Sequence, residues 1–187
     1  MNWAKPRPHN HPTKVQAAFN MKKHTKHFPF LAIQRQRFSL DYQNLSSADG
    51  LPDEKQFYRW IWHALKSHYC RAELSLVLLD EEEARAYNRD YRGKDYATNV
   101  LSFALNEGES MFADTQDTLY GDLIICPQVV AREAAEQGKP LHHHFAHLVI
   151  HGTLHLMGFD HIEDEDADRM ETLEIELLRQ INIPNPY

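Results

Sequence analysis

The chain has 187 residues, a formal net charge of −7 and two cysteines, which suits one domain with a sizeable core. Cys70 and Cys126 lie far apart and form no CxxC pair, so neither a disulfide framework nor a cysteine zinc site is implied. No apolar run reaches the ~18 residues of a membrane span, and free thiols fit the cytoplasm.

Charge is uneven along the chain. Residues 1–40 carry eight Lys and Arg and no acid, while the remainder carries 12 basic and 27 acidic residues. Residues 1–30 contain four His, four Pro and few apolar residues, and lack the apolar segment of a secretory signal. They predict a basic, disordered extension over 1–35 ahead of a domain over 36–187. The acidic body argues against broad nonspecific binding of nucleic acid, but a local basic cleft could still take phosphate.

Alternating Phe38, Leu40 and Tyr42 predict a strand over 36–43. Asp53 is placed to cap a helix over 54–67, whose Phe57, Trp60 and Ile61 read as core rather than as a stacking platform for bases. ELSLVLLD (73–80) reads as a strand, and Asp80 as the cap of an acid-led helix beginning EEEARAYNRDY. TNVLSFAL (98–105) and GDLIICP (121–127) read as strands around a loop at 106–119. Helices follow over 128–137, ended by Gly138, over 141–157, ended by Gly158, and over 164–181. Four strands and about five helices predict an α/β or α+β domain.

The stretch HGTLHLMGFDH (151–161) carries the chemistry. His151 and His155 share one helical face, one turn apart. Gly158 lets the chain turn so that His161 can supply a third nitrogen to one metal ion. Three protein ligands leave a fourth position for water, the arrangement of catalytic rather than structural zinc. The spacing is that of the metzincin motif HExxHxxGxxH, except that Gly152 stands where a peptidase has its glutamate base. Space at Gly152 for a bulky group approaching the metal is one expected use of that residue. His147 continues the four-residue series and is expected to support the ligands from outside, with ligation as the alternative. Asp160 is expected to hold the other nitrogen of His161. The acidic run 163–168 reads as a solvated helix start rather than a second metal site.

These residues resemble a known family. HGTLHLMGFDH matches the HGxLHLxGxDH signature of the YbeY endoribonucleases. NRDYRGKDYATNVLSFAL (88–105) and GDLIIC (121–126) resemble two further family segments, and the likeness covers roughly residues 38–187. The resemblance implies an α+β fold, with a small mixed sheet flanked by helices. It implies zinc, one ion per chain, on His151, His155 and His161, and Arg92 as a functional arginine facing the metal cleft. It also implies cleavage of single-stranded RNA in maturation of the small-subunit ribosomal RNA 3′ end and in ribosome quality control, with the small ribosomal subunit and the GTPase Era as partners. Ala97 and Ala104 stand where the family commonly has proline, and Asn99 where it commonly has aspartate.

Arginine suits a phosphodiester, because its planar fork can grip two phosphoryl oxygens and keeps its charge. Arg92, with Lys94 and Arg89 close in sequence, forms a local basic spot on the acidic body. Thr98 and Ser102 could hydrogen-bond phosphate or simply pack in the sheet. Two rivals stand beside the nuclease: a metallopeptidase, opposed by Gly152, and a non-enzymatic ribosome-assembly factor with a structural zinc.

Overall fold

A computed structural model describes residues 38–105, 118–160 and 163–187. The expected extension 1–35, most of the expected loop and His161 lie outside the described residues. Among the described residues the order is β1 (Phe38–Asn44), α1 (Glu54–Leu65), β2 (Arg71–Leu78), α2 (Glu81–Arg92), β3 (Val100–Ala104), β4 (Thr118–Ile125), α3 (Pro127–Glu136), α4 (Leu141–Leu156) and α5 (Asp164–Gln180). The strands form one sheet in the order β1-β2-β4-β3. β1, β2 and β4 are parallel, and β3 runs antiparallel to β4 along one edge. Among the described residues, the expected small mixed sheet flanked by about five helices is what forms.

Side-chain alternation sorts the sheet into two faces. Leu74, Leu76 and Leu78 of β2 join Leu119, Leu123 and Ile125 of β4 in the larger core, with α1, α4 and α5. The intervening Val77, Ile124 and Leu101 meet Ala84 and Tyr87 of α2 and Val129 of α3 on the other face. Asp53 caps α1 as expected, accepting from the Gln56 backbone at 2.8 Å. Phe57, Trp60 and Ile61 are core: Phe57 meets Trp60 and Phe145 edge-on, at 5.7 and 6.0 Å.

Strand limits differ from the expected ones because pairing sets them. β4 starts at Thr118, three residues before the apolar run, since Thr118 is held in register with Arg71. β2 ends at Leu78, although the Leu79 backbone still donates to Ile125.

Asp80 occupies the cap position of α2, yet its side chain does not cap the helix. It accepts instead from Ser46 Oγ at 2.6 Å, the Ser47 backbone at 3.0 Å and the Gln128 amide. One carboxylate thereby joins the segment after β1 to the start of α3. Those donors, Ser46 foremost and then Gln128 and the Ser47 backbone, hold the Asp80 carboxyl well below the usual carboxylate range. A value depressed in the folded state means a stabilisation present in full above about pH 5 and lost as pH falls through the folded value. Asp80→Asn is therefore expected to lower the unfolding midpoint at pH 7, with the gap to wild type closing in acid. A gap independent of pH would show that the charge is not what the three donors stabilise.

Candidate metal centre

Helix α4 is the central helix of the larger core, with Phe145, Ala146, Val149, Ile150 and Leu154 wholly buried. Two glycines let it lie close to the sheet. A Cβ on Gly152 would come within 2.9 Å of Leu123 Cδ2, 3.0 Å of Val100 Cγ2 and 3.1 Å of Ser102 Oγ. One on Gly121 of β4 would meet Leu156 Cδ2 at 2.9 Å and the Phe103 carbonyl oxygen at 3.0 Å. Gly152 thus faces the sheet, and its missing side chain is replaced by packed neighbours. The expected opening toward the metal is not its role. Ser102 lies beneath this contact, on the α4 side of β3.

The end of α4 is a glycine-closed turn. Gly158, at φ +89°, has its N–H on the His155 carbonyl at 3.0 Å, and the Phe159 N–H reaches the Leu154 carbonyl at 3.1 Å. These are the two bonds of a Schellman turn. The turn also orients a candidate ligand: His155 Nδ1 donates to the Phe159 carbonyl oxygen at 3.0 Å. A carbonyl oxygen can only accept, so Nδ1 carries the proton and a neutral ring presents a lone pair at Nε2. His151 is set in the same sense, with Nδ1 3.4 Å from Glu174 Oε2.

The two Nε2 atoms face each other at 3.2 Å. Two lone pairs at that separation need a proton or a cation between them. Nitrogens bound to one tetrahedral zinc at 2.0–2.1 Å stand about 3.3 Å apart. The pair on α4 fits such an ion in distance and in tautomer.

Glu174 of α5 was not expected. Its side chain is fully buried. His147 Nε2 lies 3.1 Å from Oε1, His151 Nδ1 3.4 Å from Oε2, and the Tyr187 hydroxyl donates to Oε2 at 2.6 Å. Burial pushes this carboxyl up, but the bonds from His147 and His151 outweigh it and hold the group at about 2. An anion therefore sits behind His151. One ligand atom each from His147, His151 and Glu174 lies within 4.8 Å of the others, so this group too has the geometry to hold a metal ion. His147, expected to support the ligands or itself to ligate, is a member of this group.

Of the remaining expected residues, Asp160 is exposed just after the turn, and any contact it makes with His161 lies outside the described residues. Asp164, Glu165 and Asp166 form the first turn of α5. His144 is buried and bonds Glu133 at 3.0 Å, and His142 lies edge-on to Trp60 at 4.8 Å. Asn99 donates to both oxygens of Glu133, at 3.2 and 2.9 Å. An aspartate could not donate there, which gives this departure from the family pattern a local reason.

Arg92 is the last residue of α2, exposed, before Gly93 turns the chain at φ +70°. The buried Asn88 holds the following turn by donating to the Tyr96 carbonyl at 2.8 Å. Arg85 binds Asp95 and Arg89 binds Asp90, at 2.7 and 2.9 Å. Among the described residues Arg92 has no such partner, and none of its hydrogen bonds reaches His151 or His155.

A small mixed sheet carrying a helix that presents converging imidazoles defines an α+β domain with a helix whose side chains have the geometry to hold a metal ion. The profile described as Endoribonuclease YbeY matches residues 41–182. The chain is 68% identical over 165 residues to Endoribonuclease YbeY of Neisseria meningitidis serogroup B, covering 88% of this chain and 98% of that protein. It is 48% identical over 167 residues to Endoribonuclease YbeY of Chromobacterium violaceum, covering 89% and 97%. The chain belongs to the YbeY family. A solution structure of a Thermotoga maritima protein, 22% identical, shares the fold with a TM-score of 0.51 over 76% of this chain and 91% of that one.

Proposed function

We propose that this protein is a zinc-dependent endoribonuclease that cuts single-stranded ribosomal RNA, notably at the 3′ end of the small-subunit RNA, in rRNA maturation and ribosome quality control. Family membership supports an enzyme that hydrolyses RNA phosphodiester bonds. The observation that carries the metal is the facing pair of Nε2 atoms at 3.2 Å, each ring fixed through its Nδ1. His151 and His155 hold the ion, and His161 completes the set of three, with one ion per chain. Zinc held there supplies a Lewis acid for a phosphoryl oxygen and a source of hydroxide near neutral pH. Arg92 grips the phosphate and steadies the charge that builds during cleavage. Its exposure and the absence of an acidic partner among the described residues support that part.

No described helix is long and apolar enough to cross a membrane. We place the protein in the cytoplasm, working with the small ribosomal subunit and the GTPase Era, its catalytic domain running over 36–187 and the basic extension 1–35 lying outside it.

The test is cleavage of a labelled single-stranded RNA bearing the small-subunit 3′ end, with metal content measured on each preparation. His155→Ala is expected to lose zinc and cleavage together. Equal cleavage by wild type and variant would mean a contaminating ribonuclease and overturn the metal mechanism. RNA or subunit binding without turnover, unchanged in the variant, would favour an assembly factor.

A further inference from the structure

The buried carboxylate behind the histidines has no role in the chemistry described so far. Removing Glu174 fully from water is unfavourable unless its oxygens are satisfied. Oε2 is satisfied from two places, by His151 Nδ1 on α4 at 3.4 Å and by the Tyr187 phenol beyond α5 at 2.6 Å, while Oε1, 3.1 Å from His147 Nε2, has no hydrogen-bond partner among the described residues. The segment carrying the phenol is itself anchored. Ile183 and Pro186 are buried, and the Lys139 ammonium donates to the Pro186 carbonyl. The Tyr187 ring lies edge-on to His147, with centroids 5.8 Å apart.

We propose that Glu174 is the positioning residue of His151, and that Tyr187 locks the Glu174 carboxylate in place for that task. Tyr187 fixes Oε2 at 2.6 Å, and His147 Nε2 stands beside Oε1 at 3.1 Å as an ion-pair contact. Oε2 then faces His151 Nδ1, which keeps the proton on that nitrogen and directs the Nε2 lone pair at the metal position. A carboxylate behind a ligating imidazole also makes it a stronger base and a stronger ligand. This inference rests on the reading of His151 as a metal ligand.

A different role is conceivable for the same atoms. His147, His151 and Glu174 are close enough to bind an ion among themselves. The bonding at Oε2 argues against it: His151 Nδ1 donates to that oxygen, and the phenol at 2.6 Å already holds it. An ion bound through His151 Nδ1 would have to displace the proton that this nitrogen gives to Oε2.

The experiment measures zinc affinity and stoichiometry by chelator competition on full-length wild type, Glu174→Gln, Tyr187→Phe and the double variant, with thermal unfolding of each metal-free protein alongside. Glu174→Gln is expected to bind one zinc about 10- to 100-fold more weakly. Tyr187→Phe, a conservative change at an exposed ring, should weaken binding about three- to tenfold, and this effect should vanish in the Glu174→Gln background. A purely structural role would lower the unfolding temperature and leave the two substitutions additive in zinc affinity. Unchanged affinity in Glu174→Gln, or additive effects, would overturn the positioning role while the zinc site stands. Loss of one of two zinc equivalents would make Glu174 a ligand and overturn it as well. Wild type that binds no zinc would overturn this proposal together with the metal reading beneath it.

Discussion

Arg92→Ala is expected to cleave single-stranded RNA about 10²–10³-fold more slowly, the loss typical of removing one donor from a developing oxyanion. Its zinc content should not change. The guanidinium is exposed at the end of α2 and makes no described contact with His151 or His155, so its removal leaves those imidazoles as they are. Arg92→Lys should recover only part of the rate, because an ammonium carries the charge but lacks the two-pronged grip. Single-turnover cleavage on metal-loaded proteins separates these cases. A rate within twofold of wild type in Arg92→Ala would return this residue to the ordinary surface. It would leave the zinc question untouched.

The second large effect concerns Gly152. Two tendencies oppose each other in Gly152→Ala. Alanine is about 1 kcal/mol better than glycine inside a helix. Its Cβ, however, would press on Leu123, Val100 and Ser102 at 2.9 to 3.1 Å, and overpacking of this kind costs typically 1–3 kcal/mol. A net destabilisation of about 1 kcal/mol is expected in urea unfolding. Gly152→Glu adds a longer, charged side chain to the same contact. It should fail to fold or lose at least about 3 kcal/mol, and it should gain no peptidase activity. A stable, well-folded Gly152→Glu protein would show that α4 can lift from the sheet. The missing peptidase glutamate would then be a matter of chemistry alone rather than of packing.

Much of the architecture could be read from one dimension. Asp53, Pro127, Gly138 and Gly158 mark helix ends by local chemistry, and the local chain enforces those ends in the fold. The spacing of His151 and His155 is equally local, since one helical turn brings them together. The features that escaped depend on contacts distant in sequence. Asp80 has the right residue type and place for a cap, but Ser46, 34 residues earlier, competes for its oxygens and wins. Gly152 looks like room for a ligand until the sheet is in place beneath it. Glu174 lies 23 residues beyond His151. It did leave one trace: Met170, Glu174, Leu177 and Leu178 form the buried stripe of α5. A lone acid on an otherwise apolar helical stripe is the pattern that points to such a residue. His161 and the extension lie outside the described residues, so the third ligand rests on the likeness to the family signature.

The Schellman turn has a consequence for the entropy of ion capture. A surface histidine that takes up a metal gives up the freedom of its ring. His155 has already given it up to the Phe159 carbonyl, and His151 to the Glu174 carboxylate. The ordering that an ion would otherwise impose, up to ~1–2 kcal/mol for each side chain, was completed when the helix folded onto the sheet. A site built in this way can bind tightly with few ligands, because its affinity depends on how rigidly the imidazoles wait rather than on how many there are.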